Sequence, residues 1–307
     1  MSRYRFFRPT QAAQLRRMEL TVRGVVEGVY AGLHKSPHKG FSIEFAEHRE
    51  YVPGDELKHL DWTVLARTDR YYIKQYEQET NMRATICIDA SASMGFGNAP
   101  LRGAGRADSD PPVTKFEYAA VLAASLAYML SSQQDVVGLT AFDRDIRLDI
   151  PQGNGASHLD QIFTQLEKIH PGKTTAIAET LHKLANKIPR RGLVILISDL
   201  YDDPENLLQA LQHLRHARHQ MVLIQVLDRA EADLAFTRPV TFEDMEDGTR
   251  LQIDPQLIRE DYRREFDAFL ENVKRKCGEF RIDHVLAFTD TPWDTQIREL
   301  LRRTGGR

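Results

Sequence analysis

The sequence predicts an α/β protein built on a doubly wound, mostly parallel sheet with helices on both faces. Three observations carry that expectation. Short apolar runs recur, Ile86-Cys87-Ile88, Leu193–Ile197 and Met221–Leu227, and such runs read as strands buried on both faces. Helical patterns of ten residues or more alternate with them, the signature of βαβ units. Two of the runs end in an aspartate, Asp89 and Asp199, at the strand's carboxyl end, where open α/β sheets place their ligands.

Taken in order, residues 1–34 form a basic arm and a helix. Arg3, Arg5, Arg8, Arg16 and Arg17 come with no acid, and Leu15, Met18, Val22, Val25, Val26 and Val29 then recur at helical spacing. No apolar stretch of the signal-peptide kind comes after them, so none is expected. Residues 35–80 read as a small β subdomain. Its strands are Phe41–Phe45 and Tyr71–Tyr76, and Pro53-Gly54 marks a turn between them. The larger domain spans 81–307. A Gly- and Pro-containing loop at 98–114 is a bare insertion or a lid. Lys115–Ser132 is a helix apolar nearly all round and therefore buried. The strand Asp135–Phe142 and the alternating edge strand Ile146–Ile150 come next, then helices over Leu159–Ile169 and Ala176–Lys187. The helix Glu205–Ala217 lies between two of the buried strands. Residues 229–254 break the rhythm as a hairpin insert. Pro255–Cys277 is a long amphipathic helix, Ile282–Phe288 the last strand and Trp293–Arg303 the closing helix.

Composition narrows the function. The 307 residues are 42% hydrophobic and 28% charged, with a net charge of −3, which gives no reason to expect nucleic acid as a partner. No apolar run reaches the roughly 18 residues of a membrane span. Cys87 and Cys277 are far apart, so no disulfide framework is expected; the expected setting is the cytoplasm.

The chemistry concentrates at Asp89-x-Ser91-x-Ser93. A carboxylate and two hydroxyls offer only oxygen donors, which suit a hard cation, Mg2+ or Mn2+. Asp199 ends a second buried strand on the same sheet edge, and Thr174 precedes a helix there. Asp89, Ser91, Ser93, Thr174 and Asp199 are therefore expected to converge on one metal ion. Gly172-Lys173-Thr174 has part of a phosphate-loop pattern, but the glycine that pattern wants at 167 is Glu167. A helix start with Thr174 or Thr175 as cap is the plainer reading.

Two resemblances add to this. Arg49-Glu50-Tyr51-x-Pro53-Gly54-Asp55, then Asp61-Trp62 and Ala66-Arg67-Thr68, then Asp89-x-Ser91-x-Ser93-Met94, is similar to the bacterial and archaeal domain-of-unknown-function 58 (DUF58) family, from about residue 35 onward. The first motif reads as an ion-pair network or as a partner surface. The second resemblance is to the von Willebrand factor A-like domain and its metal-ion-dependent adhesion site (MIDAS). Asp89, Ser91 and Ser93 match its Asp-x-Ser-x-Ser, Thr174 its loop threonine, and Asp199 its later strand-end aspartate. Lys173 departs from it, standing where a second glycine is usual. The resemblance implies a non-enzymatic, metal-dependent protein-binding module in which the cation bridges to a partner's carboxylate. It also implies partnership with a MoxR-type AAA+ ATPase or its client. The alternatives are a metal-dependent phosphatase or phosphoryl transferase and a structural module with a vestigial site. Against the first, an aspartyl-phosphate enzyme wants a second acid two residues after its nucleophile, and that position is Ser91.

Overall fold

Backbone contacts divide the chain into two units, residues 34–81 and residues 1–33 with 82–307. The computed structural model describes residues 6–7, 11–12, 15, 43–51, 61–68, 70–78, 82–97, 113–172, 177–188, 192–202, 204–216, 219–234, 236, 238–243 and 248–305.

In the smaller unit β1 (Ile43–Glu50) and β2 (Tyr72–Gln78) pair antiparallel, with α1 (Trp62–Thr68) between them in sequence. β1 runs five residues beyond the expected Phe45. The register shifts between Phe45 and Glu47, and such a bulge breaks the two-residue alternation by which a strand is recognised. α1 was not expected. Buried Asp61 stands before it and accepts from the Val64 amide at 3.3 Å, a cap on a short segment without helical periodicity. Of the first motif, Glu50 is exposed and its carboxylate lies 3.8 Å from exposed Arg70. Pro53, Gly54 and Asp55 lie outside the described residues.

In the larger unit β3 (Arg83–Asp89) leads through a 3-10 turn at Ser93–Gly95 to α2 (Lys115–Ser132), β4 (Val136–Phe142) and β5 (Ile146–Gly153). Then come α3 (Ala156–Leu166), α4 (Ile177–Lys187), β6 (Leu193–Ser198), α5 (Pro204–His216) and β7 (Gln220–Leu227). The chain finishes with α6 (Arg229–Asp233), the hairpin β8 (Val240–Glu243) and β9 (Arg250–Ile253), α7 (Pro255–Phe280), β10 (Asp283–Phe288) and α8 (Trp293–Gly305). Six strands hydrogen-bond in the order β10-β7-β6-β3-β4-β5. All neighbours are parallel except β5, which runs antiparallel at one edge. This is the doubly wound, mostly parallel sheet that the sequence predicts, and the arrangement that the von Willebrand factor A resemblance implies.

Alternate residues of each strand feed two separate cores. Ala84, Ile86 and Ile88 of β3, with Ile195 and Ile197 of β6, face α2, α3 and α8. Cys87, Val194 and Leu196 face α4, α5 and α7. Burying each large side chain contributes about 1.5–3 kcal/mol. Phe6, Phe7 and Leu15 join the first core, and the Phe7 ring stacks on Phe163 with centroids 4.7 Å apart. Gln11, Ala12 and Leu15 are helical; the rest of the helix expected over 10–34, and the arginines of the arm, lie outside the described residues. The same holds for 98–112 of the loop. Cys87 and Cys277 are free and buried. Among the described residues no helix is long and apolar enough to cross a membrane.

Several boundaries differ from expectation, among them the edge strand β5, which runs to Gly153 instead of Ile150. α3 begins at Ala156, three residues early, after Gly155 at φ +94°. α7 continues to Phe280, where Arg281 in the left-handed region ends it. The expected insert at 229–254 begins with α6, a short helix opened by a capping box between Asp228 and Glu231, and its paired strands are Val240–Glu243 and Arg250–Ile253.

Candidate functional site

β3 and β6 pair with Ile88 opposite Ile197, so Asp89 and Ser198 leave the sheet side by side. Strand order also reverses here: β3 continues through α2 to β4 on one side, and β6 continues through α5 to β7 on the other. A crevice opens at such a switch point, at the carboxyl ends of the strands. The Ser198 hydroxyl donates to Asp89 Oδ2 at 2.6 Å and accepts from the Leu200 amide at 2.9 Å. The Ser91 amide donates to Asp89 Oδ1 at 2.8 Å. The Ser91 and Ser93 hydroxyl oxygens lie 3.1 Å apart. Asp89, Ser91 and Ser93 are thus brought together.

Asp89 is fully buried. Burial first, then the negative charge of Asp199, push its carboxyl up to about 7, against the opposing hydrogen bonds from Ser198 and Ser91. A buried carboxylate of this kind gains from any cation brought beside it.

The neighbouring carboxylate, Asp199, already has a cation of its own. Lys115 is fully buried, and its ammonium donates to Asp199 Oδ2 at 2.8 Å and to Glu231 Oε1 at 2.7 Å. It also lies 4.8 Å from the centre of the Tyr201 ring. Burial alone lowers the lysine's pKa, but the two carboxylates outweigh burial and hold it above the ordinary value. They also offset its placement at the first position of α2, the positive end of the helix. Glu231 has its own pKa raised by burial, partly countered by Lys115. Asp199 Oδ1 accepts from the Tyr201 amide at 3.2 Å, so both its oxygens are engaged.

Thr174 and Lys173 lie outside the described residues. Gly172, shortly before them, donates its amide to the Ala90 carbonyl at 2.6 Å. A Cβ at position 172 would stand 2.5 Å from an Asp143 carboxylate oxygen, a side-chain tip, and 3.5 Å from the Ala90 carbonyl.

The donors suit a small hard cation. Adjacent oxygens of an octahedron with bonds of about 2.0–2.1 Å lie ~2.9 Å apart, close to the separation of the two serine hydroxyls. Among the described residues no three His, Cys, Asp or Glu side chains are grouped to hold a metal. The set here is one carboxylate with two hydroxyls, and a second carboxylate that Lys115 shares. Lys115, Ser198 and Glu231 were not found from the sequence. The one signal for Lys115 was a lysine opening an otherwise apolar, buried helix.

Residues 47–271 match the family model described as "Protein of unknown function DUF58", and the chain belongs to that family. Relatives include the uncharacterized proteins Rv1480 of Mycobacterium tuberculosis and Mb1516 of Mycobacterium bovis. Each is 29% identical over 278 residues, 88% of this chain and 83% of theirs. Among solved structures, the conserved hypothetical protein BatB from Bacteroides thetaiotaomicron aligns with 74% of this chain and 100% of its own, at 17% identity and a TM-score of 0.44. The SpRpn10 VWA domain aligns with 72% of this chain and 95% of its own, at 10% identity and a TM-score of 0.39.

Proposed function

We propose that the chain is a non-enzymatic, metal-dependent protein-binding module, working in the cytoplasm with a MoxR-type AAA+ ATPase or its client. The observation that carries this is the buried Asp89 beside the converging hydroxyls of Ser91 and Ser93. These three would hold Mg2+ or Mn2+, with Thr174 completing the set and Asp199 acting through water while Lys115 occupies its Oδ2. Such an ion is the strongest local charge and attracts an outside carboxylate. The chain's part is to keep the donors in place. A serine at position 91, where phosphoryl-transfer chemistry wants a second acid, favours binding over catalysis.

One observation favours a second reading. The Lys115 ammonium already balances Asp199, as a fixed cation would in a structural module with a vestigial metal site. Calorimetric titration of Mg2+ and Mn2+ into wild type, Asp89→Ala and Lys115→Gln separates the two. Saturable binding in wild type, lost in Asp89→Ala with an unchanged melt, together with metal-dependent capture of the ATPase, supports the first reading. Binding that appears only in Lys115→Gln supports the second. Magnesium-dependent phosphatase turnover lost in Asp89→Ala overturns both.

A further inference from the structure

Directly after Asp199 the chain lines an open cleft of about 410 Å³, within the ~300–1,000 Å³ usual for ligand sites. Tyr201 and Asp202 form one wall; Tyr262, Glu265, Phe266 and Phe269 of α7 form the other. The spacing of Tyr262, Phe266 and Phe269 puts all three on one helix face. Tyr262 stacks on Phe266 with centroids 5.8 Å apart and planes 19° apart. Tyr201 lies nearly parallel to Phe269, with centroids 6.5 Å apart.

Apolar burial alone does not account for this wall. The charged groups among the lining residues are both acids. Asp202 Oδ2 accepts from the Ala178 amide at 2.9 Å. The Glu265 side chain is 81% exposed, with the Arg264 guanidinium no nearer than 4.0 Å. Tyr201 already faces one cation, Lys115. Aromatic faces with carboxylates at the rim attract cations. A planar guanidinium suits them better than an ammonium, because it stacks on rings and meets carboxylates with a two-pronged fork.

We propose that this cleft is the receptor for an arginine side chain of a protein partner, its guanidinium between the aromatic walls and its charge met by Asp202 and Glu265. The proposal rests on the reading that this sheet edge receives a protein, and it adds what the partner presents: a basic residue close to the acid that a metal would take.

The test uses the full chain without divalent metal, so that failure of the metal site does not affect it. Blocked arginine (N-acetyl-arginine N-methylamide) is titrated against aromatic carbon–proton NMR spectra, with blocked lysine and blocked norleucine as controls. Tyr201→Phe and Tyr262→Phe assign the two tyrosine signals. The expected result is a saturable shift of both signals with arginine, at least threefold weaker with lysine and at least tenfold weaker with norleucine. Glu265→Gln, at an exposed position where the fold is not at stake, should weaken arginine at least threefold. No saturable shift, equal binding of arginine and norleucine, equal binding of arginine and lysine, or no effect of Glu265→Gln overturns the proposal.

Discussion

Asp89 at the end of β3 and Asp228 just after β7 hold almost the same hydrogen bonds. Each Oδ1 takes the amide two residues on, at 2.8 and 2.9 Å. Each Oδ2 takes a hydroxyl from beside a neighbouring strand, Ser198 at 2.6 Å and Thr289 at 2.8 Å. Both side chains are buried. The residues next in the chain separate them. After Asp228 a helix starts, and Glu231 returns to the Asp228 amide at 3.3 Å. After Asp89 come two serine hydroxyls facing each other. One aspartate is therefore a helix cap, and the other leads into a pair of hydroxyls instead of a helix. A buried strand-end aspartate says little until the next four residues are read.

The strongest way to probe this contrast is Lys115→Met. It leaves Asp199 and Glu231 buried without their cation, and removing one partner of a buried pair costs about 3–5 kcal/mol. Urea unfolding measures it; a loss below about 1 kcal/mol would mean that the Lys115 ion pairs hold neither Asp199 nor Glu231 in place. Next is pH. The folded pKa of Asp89, about 7, lies above the unfolded value, so the folded state binds the extra proton. Its contribution to stability is full below about pH 4 and is lost as pH rises through 7. Asp89→Asn keeps the shape and removes the titration, so its melting temperature relative to wild type should climb across that interval; parallel profiles would contradict the burial argument. Asp228→Ala should cost about 2 kcal/mol, a lost cap together with an unpaired Thr289 hydroxyl, with little dependence on metal. The smallest effects belong to Ser198→Ala and Thr289→Val, about 1 kcal/mol each. Adding magnesium should change the first loss and not the second, in denaturant titrations run side by side.

Much of this was legible in the sequence. Apolar runs flagged β3, β6 and β7, and the Asp-x-Ser-x-Ser pattern named its own three residues, because a strand end and the turn after it are local. Pairing register was not legible: it put Ser198, rather than Asp199, against Asp89. Nor were the partners of Lys115, which lie 84 and 116 positions away along the chain and meet only when the sheet forms. α6 was missed because a single capping box, without periodicity, sets it. The bulge in β1 hid half a strand from a reading that depends on strict alternation.

The two buried cysteines give the fold a pair of internal clocks. Burial pushes both thiols up to about 12, so neither supplies the thiolate that alkylating reagents attack. Modification must wait for the structure to open. Cys87 lies two residues before Asp89 on the central strand, and Cys277 on α7 at the outer layer. Pulse alkylation of the untouched protein then reads the order of events: Cys277 first if the helix peels away, both together if the sheet parts as one unit.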